Sequence, residues 1–351
     1  VTKVFLSQGL KRVEVEEGLA GDIVTLTGIK NVGIGDTITD VSNPEAMPVI
    51  KTEEPILSMS IGPNTSPFFG TEGKYFSGRQ ILDRIERELQ TNIAMKFRIT
   101  ESGQYILYGR GELHLSIFLE TLRREGYEIE VGKPSIIYKE INGVTMEPVE
   151  ELTVDVENEY LGAVKSEVGR RKGVLLVQED ISTGSTRLVF DITSAGLLGL
   201  RSMLLTLSKG TSVLSSIFLR YEKVAPALPS MRKGAIIASE KGKSLTYGLR
   251  IAQDKGNLFI GPQVQVYAGM VVGINGRGED VEINVCKEKQ LTNNRSVGED
   301  AIILPPPVTL SLEQYLGLLE NDELLEITPK NLRLRKKILD STKRYRQNKK
   351  N

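Results

Sequence analysis

Histidine and cysteine are almost missing from this chain, with one of each in 351 residues. A single cysteine, Cys286, forbids an intrachain disulfide and fits a reducing compartment. It ends the alternating run Val281-Glu282-Ile283-Asn284-Val285-Cys286, where a small core side chain is the expected role. The one histidine, His114, has no cysteine or carboxylate cluster at ligand spacing, which excludes a histidine-based metal centre. Packing or a helix-face hydrogen bond is expected of it instead. Acid pairs such as Glu53-Glu54 and Glu150-Glu151 have no neighbour in the sequence that would shift a pKa, and the alternating Asp155 and Glu157 read as a solvated face, so no catalytic carboxylate is assigned. No apolar run reaches about 18 residues, so no membrane-spanning helix is expected. Net charge is absent too, with 45 Lys and Arg against 45 Asp and Glu, which taken alone argues against nucleic-acid binding.

A phosphate-binding loop is also missing. Gly242-Lys243-Ser244 has the right ending, but Ile237 stands where the leading glycine belongs. No Asn-Lys-x-Asp guanine-reading segment appears either. Gly242-Lys243 therefore reads as a hairpin turn. This stretch is expected neither to hold a nucleotide nor to hydrolyse one, and no cofactor or metal is assigned to it.

What is present is a repeated pattern. A β-rich segment at 56–61 precedes a helix whose face carries Ile81, Leu82, Ile85 and Leu89 at 3.6-residue spacing. Strands follow at 93–99 and 104–108, split by Glu101-Ser102-Gly103. A second helix places Leu113, Ile117 and Leu122 on one face and exits at Gly126, before a strand at 127–131. The order then recurs: a strand at 152–156, a helix capped by Asn158 and running to about Arg171, and a hairpin of 173–180 with 186–192. A helix opens at Ser194 and continues to about Leu207, and the last strand covers 211–221. Both runs are βαββαβ, the ferredoxin-like pattern.

Short β-rich runs at 4–6, 13–15, 22–26 and 34–38 precede the repeat and read as part of an antiparallel barrel. Beyond about Val224 the chain turns β-rich again, with strands expected at 244–253, 270–274 and 282–285. After Pro305-Pro306-Pro307, Ser311 and Gln314 form a capping box for a helix packing through Leu312, Tyr315, Leu316 and Leu319. The fold class is α+β and multidomain: a partial barrel (1–48), two ferredoxin-like domains (49–140 and 141–224) and a β-rich C-terminal domain with a short helix (225–351). The connection at 141–149 is read as a short hinge.

The wording of these segments is specific. Gly109-Arg110-Gly111-Glu112-Leu113-His114-Leu115, Arg123-Arg124-Glu125-Gly126-Tyr127 and Gly132-Lys133-Pro134 resemble the third domain of the elongation-factor-G group of translational GTPases. Glu159-Tyr160-Leu161-Gly162 and Gly169-Arg170-Arg171-Lys172-Gly173 resemble its fifth domain. Only 141–149 separates the two, which leaves no room for the group's fourth domain. Thr292-Asn293-Asn294-Arg295, Pro305–Pro307 and Asn321-Asp322-Glu323-Leu324 resemble the C-terminal domain of the TypA/BipA family, and the likeness runs through essentially the whole chain. It implies a C-terminal fragment whose GTP- and magnesium-binding domain lies outside this sequence. The implied partners are the bacterial 70S ribosome, large-subunit rRNA and A-site tRNA, met by a cytoplasmic monomer with no membrane role. The alternatives are an elongation-factor-4-type relative, which also lacks the fourth domain, and a stand-alone RNA-binding module. The aromatic-rich strands of an RNA-recognition motif are missing, since 186–192 offers only Phe190.

Charge distribution supplies the candidate contacts. From Lys330 onward ten Lys and Arg face one acid, Asp340, a basic tail on an acidic body and a handle for RNA phosphates. Its Arg333, Arg335, Lys336 and Lys337 are candidates; the stretch up to about Ile338 is expected to pack and 344–351 to fray. Arg170, Arg171 and Lys172 cluster at a helix end and a turn, open to a phosphate backbone. The resemblance places that domain near the large subunit's GTPase-associated centre. The 287–300 stretch is nearly neutral, yet Lys287, Lys289, Asn293, Asn294 and Arg295 suit base edges, 2′-hydroxyls and phosphates. In TypA/BipA-like proteins the matching loop is expected to extend toward the acceptor end of A-site tRNA.

Overall fold

Antiparallel pairing dominates the computed structural model, which describes residues 1–30, 32–48, 54–226, 228, 232–289 and 303–348. The chain separates into two units, Val1–Glu53 with Glu86–Ile93, and Glu54–Ile85 with Ala94–Asn351. The first holds a three-stranded sheet of β1 (Lys3–Gln8), β2 (Lys11–Val15) and β3 (Val24–Thr27) in the order β2-β1-β3. Gly9, at φ 62°, turns β1 into β2. The strand expected at 34–38 does not form. Asp36 instead accepts the Gly33 N–H at 2.7 Å, and this local turn competes with any ladder. No closed barrel is present among the described residues.

The first repeat contains β4 (Leu57–Pro63), α1 (Gly78–Leu89), β5 (Lys96–Ile99), β6 (Tyr105–Gly109), α2 (Glu112–Glu125) and β7 (Ile129–Val131). Its strands lie in the order β7-β4-β6-β5. Ile81 and Ile85 of α1 are fully buried, as their spacing requires. The buried face of α2 is Leu115, Phe118, Leu119 and Leu122, whereas Leu113 and Ile117 are 38% and 58% exposed. The expected face was thus rotated. The close turn from β6 sets Leu115 against Gly109, where a Cβ would lie 2.8 Å from Leu115 Cδ2. Gly126 ends α2 at φ 98°, and the Tyr127 N–H reaches back to Leu122 O.

A short strand β8 (Ser135–Ile136) pairs with β4 and leads to β9 (Lys139–Ile141) and the long β10 (Val144–Glu157). The presumed hinge is a β9–β10 hairpin turning on Asn142 (φ 53°) and Gly143 (φ 75°), both in the left-handed region of a type I′ turn. The second repeat continues with α3 (Leu161–Arg170), β11 (Val174–Ser182), β12 (Ser185–Thr193), α4 (Ser194–Leu197), α5 (Leu200–Leu207) and β13 (Val213–Lys223). Its antiparallel order is β11-β12-β10-β13. Asn158 does not cap α3. It sits in a 3₁₀ turn, and its Oδ1 accepts the Thr186 hydroxyl at 2.7 Å. The helix expected from Ser194 is broken at Gly199 (φ 66°); Thr193 caps its first piece, while Ser194 donates to Glu150 at 2.5 Å. Leu152, Val154, Leu188 and Phe190 pack beneath Val164, Val168 and Leu204.

The remaining elements are β14 (Ala235–Ala238), β15 (Gly242–Lys243), α6 (Thr246–Gln253), β16 (Gly256–Leu258), β17 (Gln265–Val266), β18 (Met270–Asn275) and β19 (Val281–Ile283). After them come α7 (Leu312–Leu318), β20 (Glu323–Ile327), β21 (Leu332–Lys336) and α8 (Ser341–Asn348). Two expectations fail here. Gly242-Lys243 is a strand paired with β17, not a turn. The strand expected over 244–253 is largely helix α6, because Leu245, Leu249 and Ala252 also fit a 3.6-residue period. Gly248 lets that helix lie flush on the chain, since a Cβ there would sit 2.6 Å from the Val285 carbonyl. The Ser311–Gln314 capping box forms with both of its hydrogen bonds. One eleven-stranded sheet follows the order β19-β14-β18-β21-β20-β7-β4-β6-β5, with β16 paired to β18 and β8 to β4 beside that path. The C-terminal strands thus extend the sheet of the first repeat through β20 and β7.

Candidate nucleic-acid interface

The basic tail turns out to be mostly interior. Strand β21 carries Arg333, Arg335 and Lys336, all buried. Arg333 Nη1 donates to Glu326 at 2.9 Å, a second nitrogen pairs with Glu72, and its guanidinium lies 5.1 Å from the Phe68 ring centroid. Arg335 Nη2 reaches Glu130 at 2.6 Å and the Thr65 hydroxyl at 2.5 Å. Lys336 Nζ lies within 2.6 Å of Asp280, 2.8 Å of Asp322 and 2.9 Å of Glu323. Burial alone would lower the Lys336 pKa, but Glu323 with Asp280 and Asp322 holds it above the ordinary lysine value. Burial would likewise raise Glu72, yet hydrogen bonds from Thr328, Arg333 and Asn331 keep its carboxyl below the usual range.

Glu326 is the centre of this seam. It is fully buried and also accepts Asn64 Nδ2 at 3.0 Å and the Tyr267 hydroxyl at 3.0 Å. Asn64 shares its amide with Glu128, whose carboxylate takes the Gly70 and Gly73 N–H groups at 2.8 and 2.9 Å. These contacts tie the β20–β21 hairpin to the 64–73 loop and β7. The signal was in the sequence: Glu326 stands opposite Arg333 and Glu323 opposite Lys336 across the hairpin. Acids directly opposite bases on neighbouring strands are cross-strand pairs before they are an RNA patch.

Arg171 also departs from its expected exposure. It is buried, with Nε on Glu167 at 2.8 Å and Nη1 on the Gly196 and Leu198 carbonyls at 3.0 and 2.6 Å. Arg170 is exposed and paired with Glu167, and Lys172 (φ 63°) extends to the Pro226 carbonyl at 2.9 Å. Lys337 is exposed, with Nζ on the Asn321 carbonyl at 2.6 Å. Of the stretch expected to fray, 344–348 instead belongs to α8, with Arg344 Nη1 on the Ile338 and Leu339 carbonyls at 2.7 and 2.6 Å, and 349–351 lie outside the described residues. Lys287 and Lys289 are exposed, while Asn293, Asn294 and Arg295 lie outside the described residues. Four cationic candidates therefore face inward: Arg171, Arg333, Arg335 and Lys336.

His114 accepts the Arg110 N–H through Nδ1 at 3.4 Å, a local contact at the start of α2. Cys286 is half-buried, and burial followed by the charge of Glu240 raises its thiol pKa. Among the described residues, no group of three or more His, Cys, Asp or Glu is placed to hold a metal. No described helix is long and apolar enough to cross a membrane.

A polar group that sequence reasoning passed over is Glu112, the first residue of α2. Its Oε2 accepts the Gly199 N–H of the second repeat at 2.7 Å, and it borders a cavity of about 210 Å³. Withdrawal from water, reinforced by Glu313 of α7, pushes its carboxyl up to about 7 against the opposing pull of the Gly199 N–H and Arg171.

Comparison with known proteins places this architecture. Residues 233–341 match the family model of the TypA/BipA C-terminal domain, and residues 144–232 match that of the elongation factor G C-terminus. The chain is 41% identical over 353 residues to the large ribosomal subunit assembly factor BipA of Bacillus subtilis (strain 168), covering 100% of this chain and 58% of that protein. It is 42% identical over 351 residues to the protein of the same name from Escherichia coli (strain K12), covering 99% and 58%. The Synechocystis protein of that name is 43% identical over 338 residues, covering 96% and 57%. The chain thus spans little more than half the length of these relatives. With the C-terminal family domain, the elongation-factor-G-type domain before it and similarity to BipA proteins along the whole of this chain, the chain belongs to the TypA/BipA family.

Proposed function

We propose that this chain is the ribosome-docking, C-terminal part of a translational GTPase that acts in large-subunit assembly or translation. The observation that carries the reading is similarity along the whole chain to proteins named large ribosomal subunit assembly factor BipA. The nucleotide switch, with GTP and magnesium, belongs to the part of those relatives that this chain does not span. Within the chain, the two βαββαβ repeats with strand orders β7-β4-β6-β5 and β11-β12-β10-β13 are read as ferredoxin-like domains of the third- and fifth-domain type. Together with the barrel segment and the C-terminal domain, they supply shape and scattered polar contacts rather than chemistry.

The cytoplasmic 70S ribosome, its large-subunit rRNA and A-site tRNA are the proposed partners of a monomer. The exposed candidates for phosphate contact are Arg170, Lys172, Lys287, Lys289 and Lys337. Asn293, Asn294 and Arg295 are the candidates for contact with the tRNA acceptor end. Phosphate contacts contribute affinity and salt dependence, while shape and base-edge contacts fix location. Co-sedimentation with 70S ribosomes and 50S subunits across a salt series tests this. Binding that weakens with salt, and weakens further in Asn294→Ala/Arg295→Ala, is expected. Failure to bind, both alone and when joined to the nucleotide-binding part with a non-hydrolysable GTP analogue, refutes it.

A further inference from the structure

Three parts of the chain meet at one backbone amide. Gly199 breaks the α4–α5 helix of the second repeat at φ 66°, and its N–H points to Glu112 at the start of α2. From the C-terminal domain, α7 approaches so closely that a Cβ on Gly317 would lie 3.1 Å from Gly199 Cα. The same helix carries Glu313, which accepts the Ser116 hydroxyl of α2 at 3.5 Å and repels Glu112. Nothing but the Glu112 carboxylate accepts the Gly199 N–H among the described contacts.

We infer that Glu112 is a proton-operated latch: protonation holds the second repeat against the first repeat and α7, and ionisation loosens that joint.

The sign follows from linkage. In the closed joint the carboxyl titrates at about 7, against 4.5 in water. Opening the joint hydrates it and releases the proton, so closure is favoured at low pH and disfavoured as pH rises past 7. The other charged groups do not reverse this. Arg171, from the end of α3, favours the ionised form, but it is already bound to Glu167. On the cavity side stand Arg110, Arg201 and the buried Glu150, which holds the Ser194 hydroxyl. A second cleft bordered by Glu112 brings Lys133, paired with Glu320, Lys172, and Glu147, which accepts the Ala225 N–H. The groups that set the Glu112 value are its burial, the Gly199 N–H, Glu313 and Arg171.

Hydrogen exchange at the Gly199 amide, corrected for intrinsic rates, reads the latch directly. A carboxyl at about 7 when closed and 4.5 when open gives roughly tenfold more protection at pH 6 than at pH 8.5. Glu112→Gln keeps an acceptor but cannot ionise, and its protection should agree at the two pH values within about twofold. Equal protection in the wild type, or an unchanged pH dependence in the variant, overturns the inference. Should Glu112→Gln fail to fold, the carbon-13 titration of Glu112 in the wild-type chain decides. A midpoint above about 6 supports the latch, and one at or below that sinks it.

Discussion

Replacing Glu326 with Ala should be among the most damaging single changes in this chain. The residue is fully buried and takes three hydrogen bonds, from Asn64, Tyr267 and Arg333. Its loss leaves a buried guanidinium with Glu72 and the Phe68 ring alone, and it leaves the Tyr267 hydroxyl without its acceptor. Breaking a buried ion pair from one side costs about 3–5 kcal/mol, most of it from the charge left behind. In a unit of this size each kcal/mol moves the melting midpoint by roughly 2–4 °C, so a fall of at least about 6 °C is expected by circular dichroism at 222 nm. The paired change Glu326→Leu/Arg333→Met removes both charges and should recover most of that loss. A single-variant shift below about 2 °C would refute the view that this seam joins the C-terminal strands to the first repeat. So would a double variant as unstable as the single.

Ser311→Ala removes one half of the α7 capping box and should cost about 1 kcal/mol by urea denaturation, with Thr at that position largely restoring it. Gly269→Ala should destabilise by more than about 1 kcal/mol. Its φ of 88° disfavours any side chain, and the new Cβ would lie 2.8 Å from Leu339 Cα. Hydrogen bonds from Arg123, working against burial and helped by Arg124, lower the Glu120 carboxyl to about 2. Its contribution is complete above the unfolded value near 4.5 and is lost as pH falls toward 2. The stability gap between wild type and Glu120→Gln should therefore narrow from pH 6 to pH 2, and a constant gap would count against the pairing. Lys3 and Glu14 are both about half exposed, so Glu14→Ala should change stability by less than about 1 kcal/mol.

Periodicity disclosed the order of elements in both repeats because each buries one face of a helix or strand against one sheet. Ile81 and Ile85, or Leu152, Val154 and Val156, announce that face without any tertiary knowledge. It misled where two periods fit the same residues, as over 244–253, and where a close turn sets the helix rotation, as at Leu115 against Gly109. The candidate contacts were less legible. Counting charge along the chain cannot tell a solvated lysine from one facing an acid on the next strand. Arg333 and Lys336 read as an RNA handle only while Glu326 and Glu323 were not recognised as their partners. Glu112 left no trace in composition, because its environment comes from Gly199 and Glu313, both distant in sequence.

The pairing of β7 with β20 has a consequence for synthesis. Leu325 is the ladder partner of Val131, so β7 emerges from the ribosome roughly 190 residues before the strand that covers its edge. At about 5–20 residues per second that interval lasts on the order of 10–40 s. Throughout it, the nascent first repeat presents bare edge donors and acceptors, with Glu130 awaiting Arg335 from the far end of the chain. A chain that stalls before β20 is left with an adhesive edge, which makes complete translation itself a condition for solubility.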